Sequence, residues 1–99
     1  LLPGIELIET SGHVPGHQSV LVRLPQTGPV LLAIDAVVDQ ARFDADAGEP
    51  GPHDMDADSA RASIRKLEEI TRREGVTLVI FGHDGAQWAT LKKAPEYYN

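Results

Sequence analysis

Three side chains able to ligate a metal stand directly after apolar runs of this sequence. His13 follows residues 5–9, Asp35 follows 30–34 and His83 follows 76–81. Imidazole and carboxylate together suit Zn²⁺, Fe²⁺ or Mn²⁺ without any thiolate, and the chain contains no Cys. Each residue also has an ordinary role open to it. Asp35 could cap a turn, His13 and His17 could hydrogen-bond the loop around Val14-Pro15-Gly16, and His83 could be a turn residue. The three together say more than each alone, because rigid strand ends can hold ligands to the tolerance a metal requires. Three ligands are nevertheless too few for a dinuclear site, and no His-x-His occurs. His53 lies in a Pro/Gly-rich stretch and reads as structural or solvated. Asp44, Asp46, Asp54, Asp56 and Asp58 read as a solvated loop and a helix start, without the spacing of a calcium loop.

The elements that must position these groups follow from apolar periodicity and turn chemistry. Residues 5–9 and 19–24 read as strands separated by a Gly- and Pro-punctuated loop. Gln26-Thr27-Gly28-Pro29 reads as a hairpin turn, and the unbroken apolar runs 30–34 and 76–81 read as strands buried on both faces. Residues 39–55 read as a loop. Residues 56–74 predict the longest helix. Asp56 or Asp58 serves as its cap, Ala60, Ser63, Ile64, Leu67, Ile70 and Thr71 form one face, Arg72 and Arg73 suit the negative end, and Gly75 is the stop. A short helix is expected over 86–92.

The 99 residues suffice for one small domain or part of a larger one. A net charge of −6 argues against a nucleic-acid partner, which a basic stripe would announce. Apolar content of 41% with 24% charged residues suits a folded soluble chain, and no apolar run is long enough to span a bilayer. Leu1-Leu2-Pro3-Gly4 has neither a basic region nor a long apolar stretch, so a cytoplasmic location is expected. The only Met is Met55, and the expectation is a piece of a longer polypeptide.

Taken as a set, Gly12-His13-Val14-Pro15-Gly16-His17-Gln18-Ser19, Leu31-Leu32-Ala33-Ile34-Asp35-Ala36 and Ile80-Phe81-Gly82-His83-Asp84 resemble the C-terminal half of the metallo-β-lactamase superfamily, in its N-acyl homoserine lactonase-like branch. Ser63-Ile64-Arg65-Lys66-Leu67 and Pro95-Glu96-Tyr97-Tyr98 also resemble that branch. The resemblance implies an α/β fold, with residues 1–99 as one half of an αββα sandwich. It implies two divalent metal ions, most simply zinc. His13 would complete the first site, His83 the second, and Asp35 would bridge both. The remaining ligands would come from a His-x-His-x-Asp-His motif in an N-terminal half, and this chain has no such motif. His17 matches a non-ligating His and is assigned to support of the site. The family carries a Tyr three residues after the bridging Asp; here that position is Val38, which cannot donate a hydrogen bond to a substrate carbonyl.

The function implied is metal-dependent hydrolysis of a lactone or related ester, with a hydroxide shared by two metals attacking the carbonyl. The expected partners are a small-molecule lactone or ester, the N-terminal half of the same domain and a second copy in a homodimer, with neither nucleic acid nor membrane. Two alternatives stand beside it: a thioesterase of the glyoxalase II type, and a non-catalytic subunit that folds only against its other half.

Overall fold

A computed structural model describes residues 3–44 and 48–99. Strands β1 (Ile5–Glu9), β2 (Gln18–Leu24), β3 (Gly28–Ile34) and β4 (Leu78–Phe81) form one sheet in the order β1-β2-β3-β4. The first three strands are antiparallel neighbours, and β4 joins β3 in parallel. A parallel neighbour needs a crossover, and the long helix α2 (Ala57–Glu74) supplies it. Two short helices flank it in sequence, α1 (Gln40–Asp44) and α3 (Gly85–Thr90).

Helix α2 begins where the sequence predicts. The Asp56 carboxylate accepts the Ser59 N–H at 3.1 Å, and those bonds from Ser59 hold its carboxyl below the usual carboxylate range. The helix buries Ala60, Ser63, Ile64, Leu67 and Ile70 against the sheet, with Thr71 only half-buried. Across from them lie Ile8, Leu21, Leu31, Ala33 and Phe81, and this is the core. The 3.6-residue period of the helix and the two-residue period of the strands meet on this one face.

The other face of the sheet differs from expectation. The register places Ile5, Leu7, Val20, Val22, Val30, Leu32, Leu78 and Ile80 together on it. Leu7 is 44% exposed, and Leu32, Leu78 and Ile80 are only half-buried. Strands β3 and β4 are therefore covered on one side, not on both, because α2 lies on one face alone. Residues 39–55 also contain more than a loop: α1 forms there, and its Phe43 ring packs at 5.5 Å against that of Phe81. The strand and helix limits otherwise shift by a few residues, as β4 starting at Leu78 and α3 ending at Thr90 show. Asp46 lies outside the described residues.

Gln87 of α3 closes the free edge of β4. Its carboxamide oxygen accepts the Phe81 N–H at 3.0 Å, and its amide donates to the Val79 carbonyl. An edge strand whose backbone groups are met by a side chain is no longer open to a further strand there.

Candidate functional site

His13, Asp35 and His83 come from three different connections and meet at one end of the sheet. Asp35 lies between the two imidazoles. Its Oδ1 is 3.1 Å from His83 Nε2, and its Oδ2 is 3.6 Å from His13 Nε2. Among the described residues no three ligands converge on a single point. The arrangement is two pairs sharing one carboxylate.

The chain reaches this arrangement through a strained turn. Ile34 has φ of +56°, a left-handed conformation that a β-branched residue rarely adopts. The turn lets Asp35 leave the strand direction, with Ala36 N–H bonded back to the Ala33 carbonyl at 3.2 Å. Gly82 makes room for it. A Cβ at Gly82 would lie 2.3 Å from the Ile34 oxygen and 2.7 Å from Asp35 Oδ1. The Gly82 and His83 N–H groups then bond the carbonyls of Val37 and Val38 at 3.2 and 2.8 Å, which locks His83 beside Asp35.

His17 holds the main chain of Asp35. Its Nε2 accepts the Asp35 N–H at 3.3 Å, so Nδ1 carries the proton and donates to Thr10 Oγ1 at 2.8 Å. The Thr10 hydroxyl donates to Ser19 Oγ at 3.0 Å, and Ser19 donates to the Ala33 carbonyl at 3.0 Å. Thr10 and Ser19 are fully buried, so each of these bonds satisfies a group that water does not reach. Burial pushes the His17 pKa below its usual value; the nearby Asp35 charge opposes that only in part. The relay needs the neutral imidazole, and the direction of the shift agrees with it.

One residue of the Pro/Gly-rich stretch behaves differently from its sequence reading. Asp54 is not solvated: its side chain is 2% exposed and its Oδ1 sits 3.0 Å from His13 Nδ1. His53 is exposed, but it stands at the rim of a cleft of about 320 Å³ that His13, Val38, Arg42, Asp54 and His83 also line. Thr10, Ser19, Asp54 and Gly82 all support the site without having been singled out by type or spacing. Only the run of five aspartates drew attention to the Asp54 region, and it pointed to solvent.

The donor chemistry fits divalent metal. Two imidazoles and a carboxylate with both oxygens turned to them offer one nitrogen ligand for each of two ions and an oxygen for each. That is half of what a four-coordinate zinc site takes.

A sheet covered by one helical layer, with His13, Asp35 and His83 at one end of it, has the architecture of one half of a metallo-β-lactamase-type αββα sandwich. The backbone superposes on a solved N-acyl homoserine lactone hydrolase with its product, N-hexanoyl-L-homoserine, bound at the catalytic metal centre. The TM-score is 0.89 with 37% identity, over 99% of this chain and 38% of the other. A hydrolase of the β-lactamase superfamily matches at TM-score 0.66 and 24% identity, which bears on fold alone. In sequence, the chain is homologous to N-acyl homoserine lactonases. It is 40% identical over 97 residues to one from Bacillus sp, covering 98% of this chain and 37% of that protein. It is 47% identical over 92 residues to the lactonase AttM of Rhizobium johnstonii, covering 93% of this chain and 34% of that protein. The chain thus spans little more than a third of the length of these relatives. No family model matches it.

Proposed function

We propose that this chain is the C-terminal half of a metal-dependent lactonase domain, acting on N-acyl homoserine lactones or closely related esters. The observation that carries the proposal is the Asp35 carboxylate, with one oxygen toward His13 and the other toward His83. That is the disposition a bridging ligand between two metal ions needs. The homology to lactonases and the product-bound neighbour support the substrate class. In this reading His13 and Asp35 belong to one ion and His83 and Asp35 to the other. Zinc would suit both positions, and the other ligands would come from an N-terminal segment.

Divalent metal at such a site lowers the pKa of water and polarises a carbonyl. The chain's own residues do the rest. His17 and its relay fix the backbone from which Asp35 projects. Val38 lines the cleft with hydrocarbon, excluding water beside a substrate carbonyl and offering a wall to an acyl chain. It cannot donate the hydrogen bond that a Tyr would.

The test is an assay of the complete, metal-loaded protein on short- and long-chain acyl homoserine lactones, simple lactones and a glutathione thioester. Lactone turnover is expected, with Asp35→Ala, His13→Ala and His83→Ala each removing most of it and lowering metal content. A Val38→Tyr variant is expected to turn over lactones faster. Activity confined to the thioester would assign the protein to the glyoxalase II type of hydrolase instead.

A further inference from the structure

We infer that Asp54 is a positioning residue for His13: its buried carboxylate holds the imidazole with the proton on Nδ1 and turns the Nε2 lone pair toward Asp35. The inference rests on the reading of His13 and Asp35 as metal ligands, and it adds a residue from a part of the chain that carries none of the ligands.

Both Asp54 oxygens are committed. Oδ1 meets His13 Nδ1 at 3.0 Å, and Oδ2 accepts the Gly51 N–H at 2.6 Å. A carboxylate offers only lone pairs, so the proton in the first contact belongs to Nδ1. In the neutral imidazole, the form that ligates a metal, Nε2 is then the bare nitrogen, and it lies 3.6 Å from Asp35 Oδ2. Two lone-pair atoms facing each other at that range repel, and a cation between them satisfies both. A carboxylate on the far nitrogen of a ligating imidazole also makes that imidazole a stronger donor.

The juxtaposition is built by the main chain, across 41 residues of sequence. The Met55 N–H bonds the His13 carbonyl at 3.1 Å, and the Asp56 N–H bonds the Gly12 carbonyl at 2.9 Å. These bonds set the register in which Asp54 falls opposite the His13 ring. Gly12 permits it: a Cβ there would lie 2.3 Å from the Ala60 backbone, so only glycine lets the His13 loop sit directly on the first turns of α2. Asp54 also closes its own turn, since its N–H bonds the Gly51 carbonyl at 3.3 Å. The experiment must therefore separate orientation of His13 from closure of a turn.

Asp54→Ala and the near-isosteric Asp54→Asn, made in the complete protein, make that separation. Asn retains a single acceptor, so it cannot serve both His13 and Gly51. Competition with a chromophoric chelator reads the two zinc-binding steps. Both variants are expected to weaken one step about 10–100-fold and leave the other as in the wild type. Long-range ¹H–¹⁵N spectra of the zinc-loaded wild type are expected to show His13 with a slowly exchanging proton on Nδ1 and metal on Nε2; in Asp54→Ala that slow exchange is lost. A role confined to the turn would instead lower the Tm of the metal-free variants while both zinc steps and the Nδ1 proton stayed unchanged, and this result overturns the inference. Failure of the wild-type protein to take up any metal would overturn the ligand reading, and this inference with it. Two tight zinc steps that persist in both variants remove Asp54 alone.

Discussion

At the scale of single residues, the site depends on contacts that leave no spare volume. Gly82 is the clearest case, because the Ile34 carbonyl and the Asp35 carboxylate both lie where its Cβ would be. Those are backbone and site atoms, not the ends of flexible side chains. Gly82→Ala is expected to destabilise the protein by about 1–3 kcal/mol, the usual cost of forcing atoms into a packed region, and to lower metal retention. Urea unfolding and metal analysis of the complete protein check both. Glu9 gives a second residue-scale prediction. Hydrogen bonds from the Ser11 hydroxyl, the Lys66 ammonium and the Ser11 N–H bring its pKa from 4.5 down to about 2. A carboxyl whose folded pKa is depressed stabilises the fold above its unfolded value, and that contribution is lost as pH falls through the folded one. Stability should therefore decline between pH 4.5 and about 2 with a component due to Glu9. Urea midpoints measured across that window should fall less steeply in Glu9→Gln.

At the scale of elements, α2 serves both the core and the site. Its buried stripe covers the sheet, and polar groups on and beside that stripe tie down the loop that carries His13. Ser63 Oγ donates to the Ser11 carbonyl at 2.7 Å, and Lys66 reaches Glu9. The cap at Asp56 is a direct handle on this element. Asp56→Ala removes the bond to Ser59 N–H and is expected to cost about 1 kcal/mol, read as a lower urea midpoint with an unchanged m-value. The backbone bond from Asp56 to Gly12 survives the substitution, so the fold around His13 should persist. An equivalent tie operates at α3, where Asp84 accepts the Gln87 N–H at 3.0 Å and the Gln40 N–H at 2.9 Å. These bonds, that from Gln40 foremost, keep its carboxyl below the usual range, and they join α1 and α3 next to His83.

At the scale of the whole molecule, the second face of the sheet dominates. It is apolar across all four strands, and Leu7 and Ile34 are each more than two-fifths exposed on that side or at its edge. Contiguous apolar surface of this kind marks an interaction site. In the proposed reading a second sheet from an N-terminal segment covers it. The isolated 99-residue chain is therefore expected to self-associate at micromolar concentration, and Leu7→Lys to reduce that association. Sedimentation velocity over a concentration series measures it; a strict monomer at every concentration would contradict the expectation. In the proposed reading the same chain offers half of each ligand set, so it is expected to hold well under one equivalent of zinc after dialysis.

What the sequence determined by itself was the set of elements with strong local signals. The four strands follow from short apolar runs bounded by turn residues and α2 from an apolar period of 3.6, and the Asp56 cap and the Gly75 stop follow from chemistry confined to one helical turn. The proximity of His13, Asp35 and His83 was legible because each follows a strand, and strand ends of one sheet lie near one another. Helix α1 was not legible, since five residues in a stretch rich in Asp, Ala, Gly and Pro carry no usable period. Nor could local rules expose the open second face: an unbroken apolar run looks the same whether its second layer is present in the chain or not. Tertiary structure alone decided the roles of Asp54, Thr10, Ser19 and Gly82. Asp54 resembles its four neighbours in the acidic run until two backbone bonds to the His13 loop bury it against an imidazole 41 residues away. Side-chain type states what a group can do. Whether an aspartate is a solvated charge or a fixed acceptor depends on which distant backbone shields it from water.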